Sequence, residues 1–216
     1  MKRGRLGFTL VEVLIAMGIL SLLTLVLLRL GSFAYRVGRE EIERSGAEAS
    51  LLLTSRRLEE DLMDASPAGV SLVPDGSVLV VHPIDKVTGA NRVIYQDRFL
   101  HWSWDSVSKK LARCELLAPA SGMTFDGLPK RWSPAQIETL PLGDGDRVLL
   151  SLERVESFAV LNPSGPNGVS VPQVGGPLTL KISLQLPIAA TRKILAIERL
   201  FYLRTGGSTY ISVTDP

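Results

Sequence analysis

The sequence predicts an α+β protein. One long N-terminal helix, half membrane-spanning and half amphipathic, packs on an antiparallel β domain. Three observations carry this reading. The opening stretch "MKRGRLGFTLVEVLIAMGILSLLTLVLLRL" contains an apolar run long enough to cross a bilayer. "LLLTSRRLEEDL" follows with leucines at helical spacing. Beyond Pro67, short stretches of β-branched, aromatic and polar residues recur between turns rich in Gly and Pro.

The apolar run extends from Phe8 to about Leu30. At 1.5 Å per residue, about 20 helical residues cover the roughly 30 Å hydrocarbon core. Lys2, Arg3 and Arg5 precede the run, and positive flanks stay cytoplasmic. The expectation is a single-pass protein with its N-terminus inside and the bulk of the chain on the outer side. A secretory signal would show small residues at a cleavage site after the apolar core. Here "RLGSFAYRVGREE" is bulky and charged, and the small residue, Gly7, comes before the core. A cut there removes the basic leader and leaves the helix attached. The expected division is therefore 1–7 leader, 8–30 transmembrane helix, 31–66 amphipathic continuation and 67–216 β-rich domain.

Residues 32–66 are rich in Glu, Arg, Leu and Ala, which favour helix, and contain no proline. Leu51, Leu58 and Leu62 share one stripe. Arg56, Arg57, Glu59, Glu60 and Asp61 are assigned to the solvated face. Gly31, Gly38 and Gly46 weaken the first part, and Ser66-Pro67 disfavours further helix.

"GVSLV" and "SVLVVHPI" flank the turn "PDG" and read as a hairpin. "RVIYQ", "FLHWSWD", "KLARCELL", "DRVLLSLERVESFAVLN", "PLTLKISLQLP" and "LAIERLFYLR" supply further strands. In "TLKISLQL", Leu180, Ile182, Leu184 and Leu186 fall on one face. Residues 118–146 and 162–177 are rich in Gly and Pro and read as loops, each a candidate contact with a partner subunit.

Composition excludes several function classes. The formal charge is +2, from 24 Lys and Arg against 22 Asp and Glu. Without Lys2, Arg3 and Arg5 the balance is 21 to 22, or −1, so the basicity belongs to the leader and argues for no nucleic-acid partner. The single cysteine, Cys114, allows no internal disulfide and reads as a small buried residue. His82 and His101 are the only histidines, with no H-E-x-x-H or Cys cluster to make a metal site. His101 reads as a structural residue, and Trp102 and Trp104 as core packing or a subunit contact rather than a stacking site for a ligand. "GDGD" at 143–146 lacks the remaining ligands of a calcium loop, and "SGPNG" lacks the Gly-Lys-Ser/Thr of a phosphate loop. The expectation is no enzyme, no cofactor and no metal.

"G-FTLVEVL", with Gly7, Phe8 and Glu12 ahead of the long apolar run, resembles the maturation signal of type IV pilins and type II secretion pseudopilins. The resemblance implies a pilin-like fold. It also implies that a prepilin peptidase cuts between Gly7 and Phe8 and N-methylates Phe8. The implied partners are other major and minor pilins or pseudopilins, the peptidase, an inner-membrane assembly platform and the membrane itself. The implied place is the inner membrane, single-pass, with a periplasmic domain that enters a pilus or pseudopilus. Glu12 becomes an assembly residue. A central charge costs about 2.5–3.5 kcal/mol on insertion scales, and less near the interface. Cleavage creates an amine at Phe8, and that charge, its own or a neighbouring subunit's, offsets the cost.

"RVIYQDRFLHWSWDSVSKKLARCELL" with the later strands resembles J-class minor pseudopilins and W-class minor pilins in pattern and order. Glu12 argues against the K class, which usually lacks an acidic residue there. The expected function is a J-like minor pseudopilin that helps initiate or cap the pseudopilus of a type II secretion system. The alternatives are a minor type IV pilin for pilus assembly, adhesion or DNA uptake, and a membrane-anchored binding module.

Overall fold

In the computed structural model the described residues are 9–88, 93–117, 126–138, 147–162, 178–188, 193–203 and 210–212. The chain divides into two compact units, Met1–Ser45 and Gly46–Pro216. Helix α1 (Leu10–Met63) runs through both without interruption at Gly31, Gly38 or Gly46.

Over residues 13–28 α1 is apolar all round. Leu10, Leu14, Leu20, Leu23, Leu27 and Leu28 are each more than half exposed. Its few polar groups are satisfied inside the helix: Ser21 Oγ donates to Met17 O at 2.7 Å and Thr24 Oγ1 to Leu20 O at 2.8 Å. A bilayer requires this pattern, because it offers no solvent to an open donor. α1 is the one described helix long and apolar enough to cross a membrane.

In the second unit the expected leucine stripe is buried at Leu51, Leu58 and Leu62. Arg56 and Arg57 pair with Glu60 at 3.3 and 2.7 Å on the outer face. Exposed pairs of this kind contribute a few tenths of a kcal/mol each. Asp61 overturns its assignment to that face. It is buried and joins α1 to the sheet beneath. Arg113 Nε and Nη2 donate to its two carboxylate oxygens at 2.7 and 2.6 Å, and Trp102 Nε1 donates to Oδ2 at 2.7 Å. Asp61 follows Leu58 by three positions, so helical geometry turns it inward.

α1 ends at Met63, short of the expected residue 66. Ser66 and Pro67 already belong to strand β1 (Ala65–Leu72). β1 is the edge of its sheet, where a proline removes no needed donor, and the pairing shifts register between Ala65 and Val70. The expected hairpin is present: β1 pairs antiparallel with β2 (Val78–Val87). In its turn Gly76 N donates to Val73 O at 2.9 Å and Gly76 takes φ +73°. A Cβ there would stand 2.8 Å from Val160 O. Gly76 O also accepts from Val160 N at 2.9 Å, so the turn links the two sheets.

The first sheet continues through β3 (Val93–Tyr95), β4 (Arg98–Asp105), β5 (Lys110–Leu117) and, after α2 (Pro134–Glu138), β6 (Arg147–Leu152). Its order is β1-β2-β4-β5-β6, with β3 also paired to β2. The second sheet holds β7 (Ser157–Leu161), β8 (Leu178–Ile188), β9 (Lys193–Leu203) and β10 (Tyr210–Ser212), in the order β10-β9-β8-β7. All pairs are antiparallel. "DRVLLSLERVESFAVLN" therefore supplies two strands, one to each sheet. Burial alternates strictly along β8, with Leu180, Ile182, Leu184 and Leu186 inward as expected.

The main core joins Leu51, Leu58 and Leu62 to Leu79, Trp102, Phe158, Leu180 and Phe201. Trp104 packs at its margin. A second cluster covers the opposite face of the first sheet: Val73, Val80, Phe99, Leu116, Trp132 and Ile137. Its last two members correct the reading of 118–146 as loop, since α2 and a packed segment lie within it. Ser133 and Gln136 explain the helix. Gln136 N donates to Ser133 Oγ at 3.3 Å and Ser133 N to Gln136 Oε1 at 2.9 Å, a capping box with Pro134 at the first helical position. Residues 163–177 and the GDGD stretch lie outside the described residues.

Cys114 is buried and in no disulfide. Cys114→Ser is expected to cost about 1–3 kcal/mol at most, from burying a hydroxyl where a thiol packed. Urea unfolding of the wild-type chain with and without reductant should give the same midpoint. A reductant-dependent midpoint would reveal an intermolecular bridge.

Candidate functional site

The start of α1 is built from "TLVE", Thr9 to Glu12. Thr9 is the N-cap and Glu12 stands at the third helical position. Glu12 N donates to Thr9 Oγ1 at 3.3 Å, while Thr9 N and Oγ1 donate to Glu12 Oε2 at 2.9 and 3.0 Å. This is a reciprocal capping box, which satisfies donors that a helix start otherwise leaves open. It also gives Glu12 a local role that the sequence reading omitted. The signal was present, since Thr-x-x-Glu before an apolar run is the pattern of such a box.

Electrostatics makes Glu12 more than a cap. A carboxylate in the first turn faces the positive end of the helix dipole. Both Thr9 bonds fall on Oε2. A carboxylate has about four acceptor sites, so capacity remains for a cation. Lys2, Arg3, Arg5, Gly7 and Phe8 lie outside the described residues.

The same segment decides the comparison with known proteins. Residues 2–28 match the family model of the prokaryotic N-terminal methylation motif. The chain carries the type IV pilin and pseudopilin signature. No match was found among curated proteins or among solved structures. A pilin-type motif implies processing by a prepilin peptidase and assembly with other pilins. The apolar α1 and the motif together fit a single-pass, membrane-anchored pilin. The long helix packed against antiparallel sheets is the pilin-like α+β architecture.

The remaining candidates are packing residues. Trp102 is fully buried, and His101 is buried with no hydrogen-bond partner for its Nδ1 among the described residues. Burial pushes the His101 imidazole down to about 4. Among the described residues no group of three or more His, Cys, Asp or Glu side chains is placed to hold a metal. A groove of about 700 Å³ is lined by Tyr95, Asp97, Arg98, Leu117 and Asp126, among others. Lys130, 3.1 Å away, and the Leu128 amide hold the Asp126 carboxyl below its ordinary range.

Proposed function

We propose that this chain is a J-like minor pseudopilin, which helps initiate or cap the pseudopilus of a type II secretion system. The observation that carries the reading is the "G-FTLVE" start: a methylation motif placed where an apolar helix begins, with Glu12 in its first turn. The mechanism is mechanical. The basic leader holds the N-terminus in the cytoplasm, and the β domain is translocated. The peptidase cuts at Gly7-Phe8 and methylates the new amine. The matured helix then joins related subunits, with Glu12 as the docking point for a cationic N-terminus. Extrusion draws on a separate ATPase, and this chain performs no catalysis of its own. The strand order of residues 92–204 supports the J-like assignment by resemblance.

Maturation is tested by intact mass. The wild-type chain should begin at N-methylated Phe8 in cells with an active prepilin peptidase. Gly7→Val should leave the longer precursor in the membrane. A mature chain that still begins at Met1 would overturn the reading. The secretion role is tested by deleting the gene. Loss of enzyme export with surface pili intact supports a pseudopilin. Loss of pili with export intact moves the assignment to a minor type IV pilin.

A further inference from the structure

We propose that residues 126–138 form a strap on the far face of the first sheet, whose hold is tightened by neutral His82 and loosened when His82 takes a proton. The strap covers an apolar patch. Its Trp132 and Ile137 pack over Val80, Phe99 and Leu116, and Trp132 meets Phe99 edge-on at 5.3 Å between ring centroids. Backbone and side-chain bonds hold it down. Trp132 N donates to Ser71 Oγ at 3.0 Å, Arg131 Nε to Ala68 O at 3.0 Å, and Arg131 Nη2 to Pro67 O at 2.5 Å. Tyr95 N donates to Gly127 O at 3.2 Å, and Lys130 N donates to His82 Nδ1 at 3.0 Å.

That last bond fixes the protonation state. A backbone N–H can only donate, so His82 Nδ1 must be an acceptor. The ring proton is therefore on Nε2, which donates to Gln96 O at 2.7 Å. A second proton would go to Nδ1 and set one N–H against another. The bond would be lost and repulsion would replace it. Ser71, Tyr95 and Arg131 hold the strap in either state, and among these bonds the His82 contact is the one that depends on pH.

The groups around His82 can be named element by element. The ring is fully buried, with Tyr95 of β3 at 4.9 Å and Phe99 of β4 at 4.6 Å between ring centroids. The Gly69 backbone of β1 lies close to the His82 carbonyl and Cβ. Lys130 on the strap opposes a positive charge, while Gln96 O, Asp97 and Asp126 favour one. Burial outweighs them, and His82 is held below its ordinary value of 6.5. His101, on the same face, stays neutral until about 4, and Cys114 is opposite it. The sign follows from linkage. In the open strap His82 returns toward 6.5, so the open form binds more protons below that value. Closure is independent of pH above 6.5 and weakens as pH falls below it. The main core contains no histidine, so the response should be local.

The test is hydrogen exchange by mass spectrometry on the full chain in detergent micelles, from pH 7.5 to 5, corrected for intrinsic rates. Peptides from 126–138 should lose protection by up to about tenfold per pH unit below 6.5. Helix residues 51–62 and strand residues 180–186 should hold theirs. His82→Gln can accept from Lys130 and donate to Gln96 O but does not titrate, so its strap should be insensitive to pH. If that variant fails to fold, Lys130→Pro tests the clasp itself. Lacking the donor, it should be less protected than wild type at pH 7.5, and equal protection would overturn the proposal. So would wild-type protection that stays constant to pH 5, a response that survives in His82→Gln, or one that spreads equally to 51–62.

Discussion

Asp61→Ala lowers the unfolding free energy by about 3–5 kcal/mol, because it strands a buried guanidinium and an indole donor. The Asp61 side chain is 5% exposed and that of Arg113 15%. Trp102, fully buried, directs its only donor at the same carboxylate. The bidentate Arg–carboxylate geometry is the strong form of this interaction, and it ties the second half of α1 to β4 and β5. Arg57 and Glu60, one turn away on the outer face, are 54% and 42% exposed, so breaking that pair should cost well under about 1 kcal/mol. Urea unfolding of the full chain in detergent, followed by tryptophan fluorescence, measures both. The triple replacement Asp61→Leu, Arg113→Met, Trp102→Phe should recover most of the loss, since no polar group is then left unpaired. A loss below about 1 kcal/mol in Asp61→Ala would mean that water reaches the network.

The same network shows where a sequence reading stops. Asp61 lies three residues from Leu58, a spacing that points to the buried side, but its charge led to its assignment to the solvated face. What spacing does not supply is the partner, because Arg113 lies 52 residues further on and meets Asp61 only after the sheet has formed. Local patterns were legible where one face decided them. The apolar run, the leucine stripe, the hairpin around "PDG" and the alternation in β8 each follow from a single period. Two signals were equally local and passed over, the capping boxes "TLVE" and "SPAQ". The second begins a helix inside a stretch whose Gly and Pro content spoke for loop. The short strand Tyr210–Ser212 has too few residues to show a period. The processing motif could be read because a peptidase recognises contiguous residues. The clasp at His82 could not, since Gln96, Lys130 and Ser71 are brought to it by the fold.

Glu12→Gln should leave the chain in the membrane at wild-type level and nearly abolish co-purification of partner pilins. The substitution separates the two roles of this residue. Glutamine at the third helical position still accepts from Thr9 N, so the capping box persists. It carries no charge, so a neighbouring subunit's Phe8 amine, if Glu12 docks it as proposed, loses its partner. Losing one member of an ion pair in the assembled complex should weaken association by about a hundredfold or more. Thr9→Ala makes the reverse cut. It removes the hydroxyl that receives Glu12 N, at about 1 kcal/mol, and keeps the carboxylate, so assembly should largely survive. Glu12→Leu removes both functions and also an insertion cost, so it should anchor at least as well as wild type while failing to capture partners. Quantitative pull-down from detergent-solubilised membranes, normalised to membrane level, distinguishes the three. Full capture by Glu12→Gln would reduce Glu12 to a helix cap. Disappearance of Glu12→Leu from the membrane would place its role in insertion instead. If Thr9→Ala fails as badly as Glu12→Gln, the geometry of the helix start governs docking, because the carboxylate must be held by Thr9 before a neighbour can use it.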